Sequence, residues 1–246
     1  MLLIPSIDLR GGHCVRLLKG DFAAETRYRF DAQQLLWRYQ RLGARWLHVV
    51  DLDGARDGTL SNRHLIQELA AQRAVELQVG GGLRDRAAID ELLTHGVARV
   101  VIGSAAVEQP AQVADWMHSL GPERICLAFD VRLDAQGIPR LRTHGWQQHS
   151  ALSLWDAVAR FSDGGLKHVL CTDIDRDGAL GGPNLALYDE ALQRFPHIQW
   201  QASGGIGSGA DLAALAAHGV PAAISGKALL EQRISVEELQ PYLPNA

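Results

Sequence analysis

The chain has 246 residues, 47% of them hydrophobic and 21% charged, with a formal net charge of −4. That length can bury a sizeable core without disulfides, and it is close to the about 250 residues of an eightfold α/β barrel. The acidic balance and the absence of any Lys/Arg run speak against a nucleic-acid surface, but not against an anionic small molecule, because backbone N–H groups bind phosphate on acidic proteins. In chain order, short apolar or β-branched runs predict strands at Leu2–Leu9, Arg45–Leu52, Val75–Val79, Arg99–Gly103, Arg124–Val131, His168–Asp173, Ile198–Ser203 and Ala222–Ser225. Between them, amphipathic spacing predicts helices at Ala32–Leu42, Asn62–Ala71, Arg86–His95, Ala111–Ser119, Leu152–Phe161, Leu185–Arg194 and Asp211–His218. Strict alternation implies a parallel sheet with right-handed crossovers, either open and doubly wound or closed into a barrel.

An internal repeat separates these two architectures. VGGG at Val79–Gly82 matches ASGG at Ala202–Gly205, and LLTHGV at Leu92–Val97 matches LAAHGV at Leu215–Val220, both at an offset of 123. DGTL at Asp57–Leu60 matches DGAL at Asp177–Leu180, and Ile7–Leu9 matches Phe129–Val131, at nearly the same offset. Each half, about 1–122 and 123–246, holds four βα units. Two such halves close naturally into one (β/α)8 TIM barrel with a twofold half-barrel repeat. No linker or composition shift divides the chain, so it reads as one domain.

Chemistry in such a barrel sits at the C-terminal ends of the strands. Asp8 ends the first apolar run and Asp130 the fifth, on opposite strands. One such carboxylate reads as a surface group or a helix cap, since burying it unpaired is costly. Two at equivalent points of a repeat suit a proton shuttle, one removing a proton while the other donates.

Glycine clusters are the second signal. Gly81 and Gly82 follow strand three, Gly103 and Ser104 strand four, Gly204 and Gly205 strand seven, and Ser225 and Gly226 strand eight, where Lys227–Gln232 suits a short helix. A single glycine pair reads as a tight turn. Matching clusters in both halves read as two phosphate sites on opposite sides of one mouth, reached because glycine lets backbone N–H groups approach a ligand. A side chain at Gly82 or Gly205 is then expected to block a phosphate.

Arg10–Arg29 and Leu133–Ser150 are long for βα connections and read as lids. The second contains Arg142, His144 and Trp146, and Trp146 either stacks on a heteroaromatic ring or packs the loop onto the barrel. Thr172, beside Asp173, ends strand six within reach of a catalytic carboxylate, with Asp51 as the repeat counterpart on strand two. His48 reads more simply as a core histidine than as a site residue.

Cys14, Cys126 and Cys171 show no CxxC or Cys/His metal spacing and read as reduced thiols. The start, MLLIPSIDLR, lacks the basic n-region of a signal peptide. No run approaches the ~18 apolar residues of a membrane span. The expectation is a soluble cytoplasmic protein with no nucleic-acid or membrane partner.

Taken together, IPSIDLRGG (Ile4–Gly12), HVVDLDGARDG (His48–Gly58), QVGGGLR (Gln78–Arg84), VVIGSAAV (Val100–Val107), CTDIDRDGALGGPN (Cys171–Asn184), ASGGIG (Ala202–Gly207) and SGKALLE (Ser225–Glu231) resemble the ProFAR isomerase family of histidine biosynthesis. The resemblance runs from about residue 2 to residue 231. It implies a (β/α)8 barrel that converts the aminoaldose N-(5′-phosphoribosylformimino)-5-aminoimidazole-4-carboxamide ribonucleotide to its aminoketose by an Amadori rearrangement. It implies no metal or organic cofactor, a bis-phosphorylated small-molecule substrate, and a monomer. The family's base falls on Asp8, its acid on Asp130 and its supporting threonine on Thr172. Backbone phosphate contacts fall on Gly81, Gly82, Gly103 and Ser104 in one half, and on Gly204, Gly205, Ser225 and Gly226 in the other. The loop tryptophan falls on Trp146. A sister cyclase that makes imidazole glycerol phosphate shares the barrel and both aspartates. It resembles IPCLDV near its start, where this chain has Ser6, and it lacks DLDGA, intact here at Asp51–Ala55. A dual-substrate isomerase that also accepts phosphoribosyl anthranilate fits the same motifs. A barrel that only binds phosphate would have no need of Asp8 and Asp130, and both are intact.

Overall fold

A computed structural model describes residues 1–18, 20–143, 146 and 148–244. His144, one of the lid residues, lies outside the described residues. Eight parallel strands, Leu2–Arg10, Trp46–Asp51, Glu76–Gly80, Arg99–Ile102, Ile125–Leu133, His168–Asp173, Gln199–Ser203 and Ala222–Ser225, pair in chain order. The eighth pairs back onto the first, with Leu2 opposite Ala222 and Pro5 opposite Ser225, so the sheet closes. The open architecture is thereby excluded, and each predicted strand lies within two residues of its observed ends.

The helices follow from sequence-local causes. Ala32–Arg41 buries Ala32, Leu35, Leu36 and Tyr39, an i, i+3, i+4, i+7 stripe, and starts at a capping box between Asp31 and Gln34. Asp85, Ser153, Asn184 and Ser208 cap four later helices by accepting a backbone N–H. Most of the core lies between the strands' outer faces and these helices. A smaller cluster of Ile4, Val101, Cys126, Leu170, Ala222 and Ile224 fills the barrel interior.

The interior also carries a polar layer. Gln78 on the third strand and Gln201 on the seventh are buried and exchange amide hydrogen bonds across the barrel, at 2.7 Å and 3.0 Å. Arg99 Nη1 donates to Gln78 Oε1 at 3.1 Å, and its guanidinium stacks over Trp46 at 4.3 Å. The two glutamines are 123 residues apart, so the half-barrel repeat meets itself at this contact. A second symmetric device backs each half. Asp51 accepts from Asn62 Nδ2, and Asp173 accepts from Asn184 Nδ2, each at 2.7 Å and eleven residues along the chain.

Three expectations need correction. The long segments after strands one and five are β-hairpins, His13–Leu18 with Asp21–Arg27 and Pro139–Thr143 with Gln148–Ser153. Each continues antiparallel from its barrel strand. Leu152 belongs to the second hairpin, and the helix there is Leu154–Ser162. In register, Asp130 lies opposite Thr172 and Asp8 opposite Val50. The repeat counterpart of Thr172 is therefore Val50, and Asp51 corresponds to Asp173.

Gln201→Leu should leave the Gln78 amide buried with a lost partner, costing about 1–3 kcal/mol, read as a lower urea midpoint. The Gln78→Leu/Gln201→Leu double variant should lose less than the two single losses added together. Strict additivity would mean that the amides do not support one another.

Candidate active site

Asp8 and Asp130 end inward-facing rows on opposite strands, and both line one cavity at the C-terminal mouth of the barrel. Asp8 is buried, and Arg16 from the first hairpin donates from Nη1 to its Oδ2 at 2.9 Å. Two opposed causes act on this carboxyl. Burial pushes its pKa up, and the Arg16 guanidinium pulls it back. Arg16 fits because Gly226 has no side chain: a Cβ there would lie 2.8 Å from Arg16 Nη1 and 2.6 Å from Ser6 Oγ.

Among the described residues no such cation acts on Asp130. Its pKa is also raised by burial, and the opposing effects are hydrogen bonds from Trp146 and Thr172. Thr172 thus sits where the sequence places it, beside Asp130 in the ladder. Trp146 lines the same cavity, but its indole rests on the turn of the first hairpin, where a Cβ on Gly20 would collide with Trp146 Cε3. It bridges the two hairpins. Its backbone φ of +72° is one that a bulky residue rarely adopts. Arg142 lies opposite Asp130 in the second hairpin's ladder, and its Nε is buried without a hydrogen-bond partner.

Two site residues are not legible in the sequence. Arg16 falls in a segment that reads as loop, so nothing aims it at Asp8. Asp177 stands out only as half of a DG repeat, yet it faces the cavity, 3.8 Å from Arg16 Nη2, and its charge raises the pKa of both Asp8 and Asp130. Its partner in that repeat, Asp57, is exposed and bonds Arg56. His48 lines the cavity floor, bonded through Nδ1 to Gln78, and burial lowers its pKa to about 4, so it is neutral near pH 7.

The glycine loops flank this cavity as expected, with Gly81, Gly82, Gly103 and Ser104 from one half and Gly204, Gly205, Ser225 and Gly226 from the other. The reason for glycine differs from the expectation. Gly81 and Gly82 have φ of +102° and +75°. A Cβ on Gly81 would overlap the Asp51 carbonyl, and one on Gly82 would fall 2.6 Å from that of Gly54. Gly204 and Gly205 repeat this against Asp173 and Gly182. A side chain is excluded by the neighbouring loop's own backbone before any ligand is considered. The Ser225 hydroxyl is buried with no partner, at the lip of the second cluster. Arg84 lies beside the first cluster in the cavity wall, and Lys227 beside the second, its Nζ on the Gly178 carbonyl at 3.0 Å.

Paired carboxylates at the C-terminal ends of opposite strands, in a cleft of a closed (β/α)8 barrel, define an acid–base enzyme. The profile of the family described as Histidine biosynthesis protein matches residues 2–235, and the chain belongs to that family. It is 46% identical over 96% of its length to a protein of Alteromonas mediterranea, covering 97% of that relative. It is 48% identical over 96% of its length to one of Serratia proteamaculans, again covering 97%. The figures for one of Colwellia psychrerythraea are 46%, 96% and 91%. All three relatives are named 1-(5-phosphoribosyl)-5-((5-phosphoribosylamino)methylideneamino) imidazole-4-carboxamide isomerase. Among the described residues no helix is long and apolar enough to cross a membrane.

Removing the Arg16 charge should move the Asp8 pKa upward. Arg16→Met is therefore expected to shift the acidic limb of the kcat/KM profile to higher pH, since a base is lost as it protonates. A limb that stays in place would break the link between Arg16 and Asp8. Gly82→Val and Gly205→Val should each lower the melting temperature sharply, because both strain and backbone overlap oppose them. A normal melting curve with raised KM would instead restore phosphate access as the reason for glycine.

Proposed function

We propose that this chain is an aldose–ketose isomerase that performs the Amadori rearrangement of the bis-phosphorylated aminoaldose to its aminoketose in histidine biosynthesis. The observation that carries the reading is the unequal pair of carboxylates in one cleft. Burial raises the pKa of both carboxyls, but the rise is opposed by a cation, Arg16, at Asp8 and by neutral donors at Asp130, and this difference assigns the base to Asp8 and the acid to Asp130. Environments that push two carboxyls apart assign the base and the acid.

Asp130 gives a proton to the furanose ring oxygen, and the ring C–O bond breaks to leave a protonated Schiff base at C1′. Asp8 takes the proton from C2′, and those electrons form the enolamine. The enolamine then tautomerises to the ketone at C2′ and the amine at C1′. Oxidation at C2′ equals reduction at C1′, so the residues move protons only. Thr172 and Trp146 orient the Asp130 carboxylate. We further propose that the two glycine loops each hold one phosphate, with Arg84 and Lys227 supplying a cation to each side. Holding both ends fixes the reacting carbons between the two carboxylates.

The test is turnover of the aminoaldose by purified protein. Asp8→Asn and Asp130→Asn should each lower kcat by about 10²–10⁴. Asp130→Asn should melt no lower than the parent: a carboxyl whose folded pKa is raised loses stability as pH rises through that pKa, and the amide avoids the loss. Near-normal turnover in either variant would remove its role. A crystal soaked in phosphate should hold two anions at the mouth, one beside each glycine pair. A single anion at the seventh and eighth strands would favour a monophosphate substrate.

A further inference from the structure

The first hairpin joins the barrel over a short ladder. Asp8 pairs with Val15, Leu9 with Cys14, and Arg10 with His13. Arg16, which touches Asp8, lies one residue past the last of these pairs. The base of the hairpin is the two-residue turn Gly11–Gly12, with φ of +54° and +77° and open space around both Cβ positions. No side-chain packing holds this turn. It is held by hydrogen bonds from the segment that follows the second strand. Gly11 N–H donates to Asp53 Oδ2 at 2.6 Å, and Gly12 N–H donates to Asn62 Oδ1 at 2.8 Å.

Behind these two acceptors stands a saturated network. Asn62 Nδ2 donates to Asp53 at 3.1 Å and to Asp51 at 2.7 Å. The fully buried Asp51 also accepts from the backbone N–H of Gly54 and of Asn62, at 3.0 Å and 2.9 Å. The same segment carries the Asp51 and Gly54 carbonyls on which Gly81 and Gly82 pack. One short stretch of chain therefore touches the first glycine loop on one side and the hairpin turn on the other. Among the described residues the second half shows no such grip on its hairpin backbone. There Asp175, at the position equivalent to Asp53, pairs instead with the side chain of Arg132, and both side chains are about half exposed.

We propose that Asp53, together with Asn62, is a positioning residue for the isomerisation: by gripping the Gly11–Gly12 turn it keeps the Arg16 guanidinium on Asp8. This rests on the functional reading above. The two side-chain-to-turn contacts, the Asp53 carboxylate on Gly11 N–H and the Asn62 amide oxygen on Gly12 N–H, act on Asp8 only through Arg16. Asp8 also faces Asp177 from the loop after the sixth strand, His48 from the second strand, and Cys14 and Tyr28 from the first hairpin's side. Among the described residues acting on Asp8, Arg16 is the one cation near pH 7, since His48 is neutral there. Loosening the turn therefore acts on the base in one direction.

The experiment follows the Asp8 carboxyl by 13C NMR titration without substrate, with Asp8→Asn to assign the signal, and pairs it with pH profiles of turnover. Asp53→Ala should raise the Asp8 midpoint by at least about half a pH unit, part of the 1–3 units that an adjacent opposite charge exerts. It should lower kcat about tenfold with KM changed less than about threefold. Asp53→Asn keeps an oxygen acceptor for Gly11 N–H and should restore both readings. In an Arg16→Met background, Asp53→Ala should shift the midpoint no further, because its path is already cut. If Asp53→Ala does not fold, Asp53→Ser is read in the same way. An unmoved Asp8 midpoint in a folded, active variant overturns the proposal, and a lowered melting temperature alone would mark Asp53 as merely structural. A midpoint that moves in a protein with no turnover of the aminoaldose would refute the functional reading while the grip on Arg16 stands.

Discussion

A carboxylate at the end of an inward-facing barrel row must leave water, and an unpaired buried charge would neutralise itself by taking up a proton. Asp8 meets this constraint with the guanidinium of Arg16, 2.9 Å away. That contact places demands on the rest of the mouth. Arg16 must arrive from outside the barrel, which requires a hairpin rather than a loose loop. Gly226 must lack a side chain, because a Cβ would meet both Arg16 and Ser6. Ser6 and His48 form the floor beneath, side by side in register. A buried base is thus a property of four separate segments of chain, and each gives up some freedom of sequence to it.

The glycine loops show how function and packing share one cause. In both halves a glycine loop lies so close on neighbouring backbone that only glycine fits, Gly81 and Gly204 against the equivalent carbonyls of Asp51 and Asp173, and Gly82 and Gly205 against the non-equivalent carbonyls of Gly54 and Gly182. If these loops hold phosphate as proposed, the site is shaped before the ligand arrives, since contacts between loops set it. Rigid donors lose little entropy on binding, which favours positioning over induced closure. The lids then have a different task. The two hairpins meet through Trp146 on Gly20, above the carboxylates, where water must be excluded.

Much of this was legible in the chain itself. Eight apolar runs alternating with amphipathic stripes imply a parallel α/β sheet, and the half-length repeat favours its closure into a barrel. Asp8 and Asp130 stand out because a carboxylate closing an apolar strand has no packing reason. The hairpins escape notice although Gly11–Gly12, between Arg10 and His13, is the two-residue signal for a tight primed turn. The strands that follow are short and partly exposed, so their alternation is faint. Arg16 and Asp177 are hidden for a different reason. A charge in a loop has no periodicity to betray where it points, and only the closed ring of strands brings residues 8, 16 and 177 together. Reading Gly82 and Gly205 as mouth residues places them correctly on the cavity, but their need for glycine has a packing cause that sequence does not show, since it reveals which residue is small and not what presses on it.

The two halves share a scaffold, and their departures from symmetry carry the chemistry. In the first half the residue opposite the carboxylate is Val50, which cannot hydrogen-bond, and the compensating group is the cation Arg16. In the second half the residue opposite is Thr172, and the compensating groups are neutral donors, Thr172 and Trp146. A cation favours the ionised carboxyl strongly, and a neutral donor does so weakly. Exact symmetry would give the two carboxyls the same surroundings, with nothing in the protein to tell one from the other. A few side chains, Arg16 and Val50 against Thr172 and Trp146, are enough to give the two aspartates the different surroundings on which the proposed base and acid roles rest, while the backbone that presents them stays equivalent.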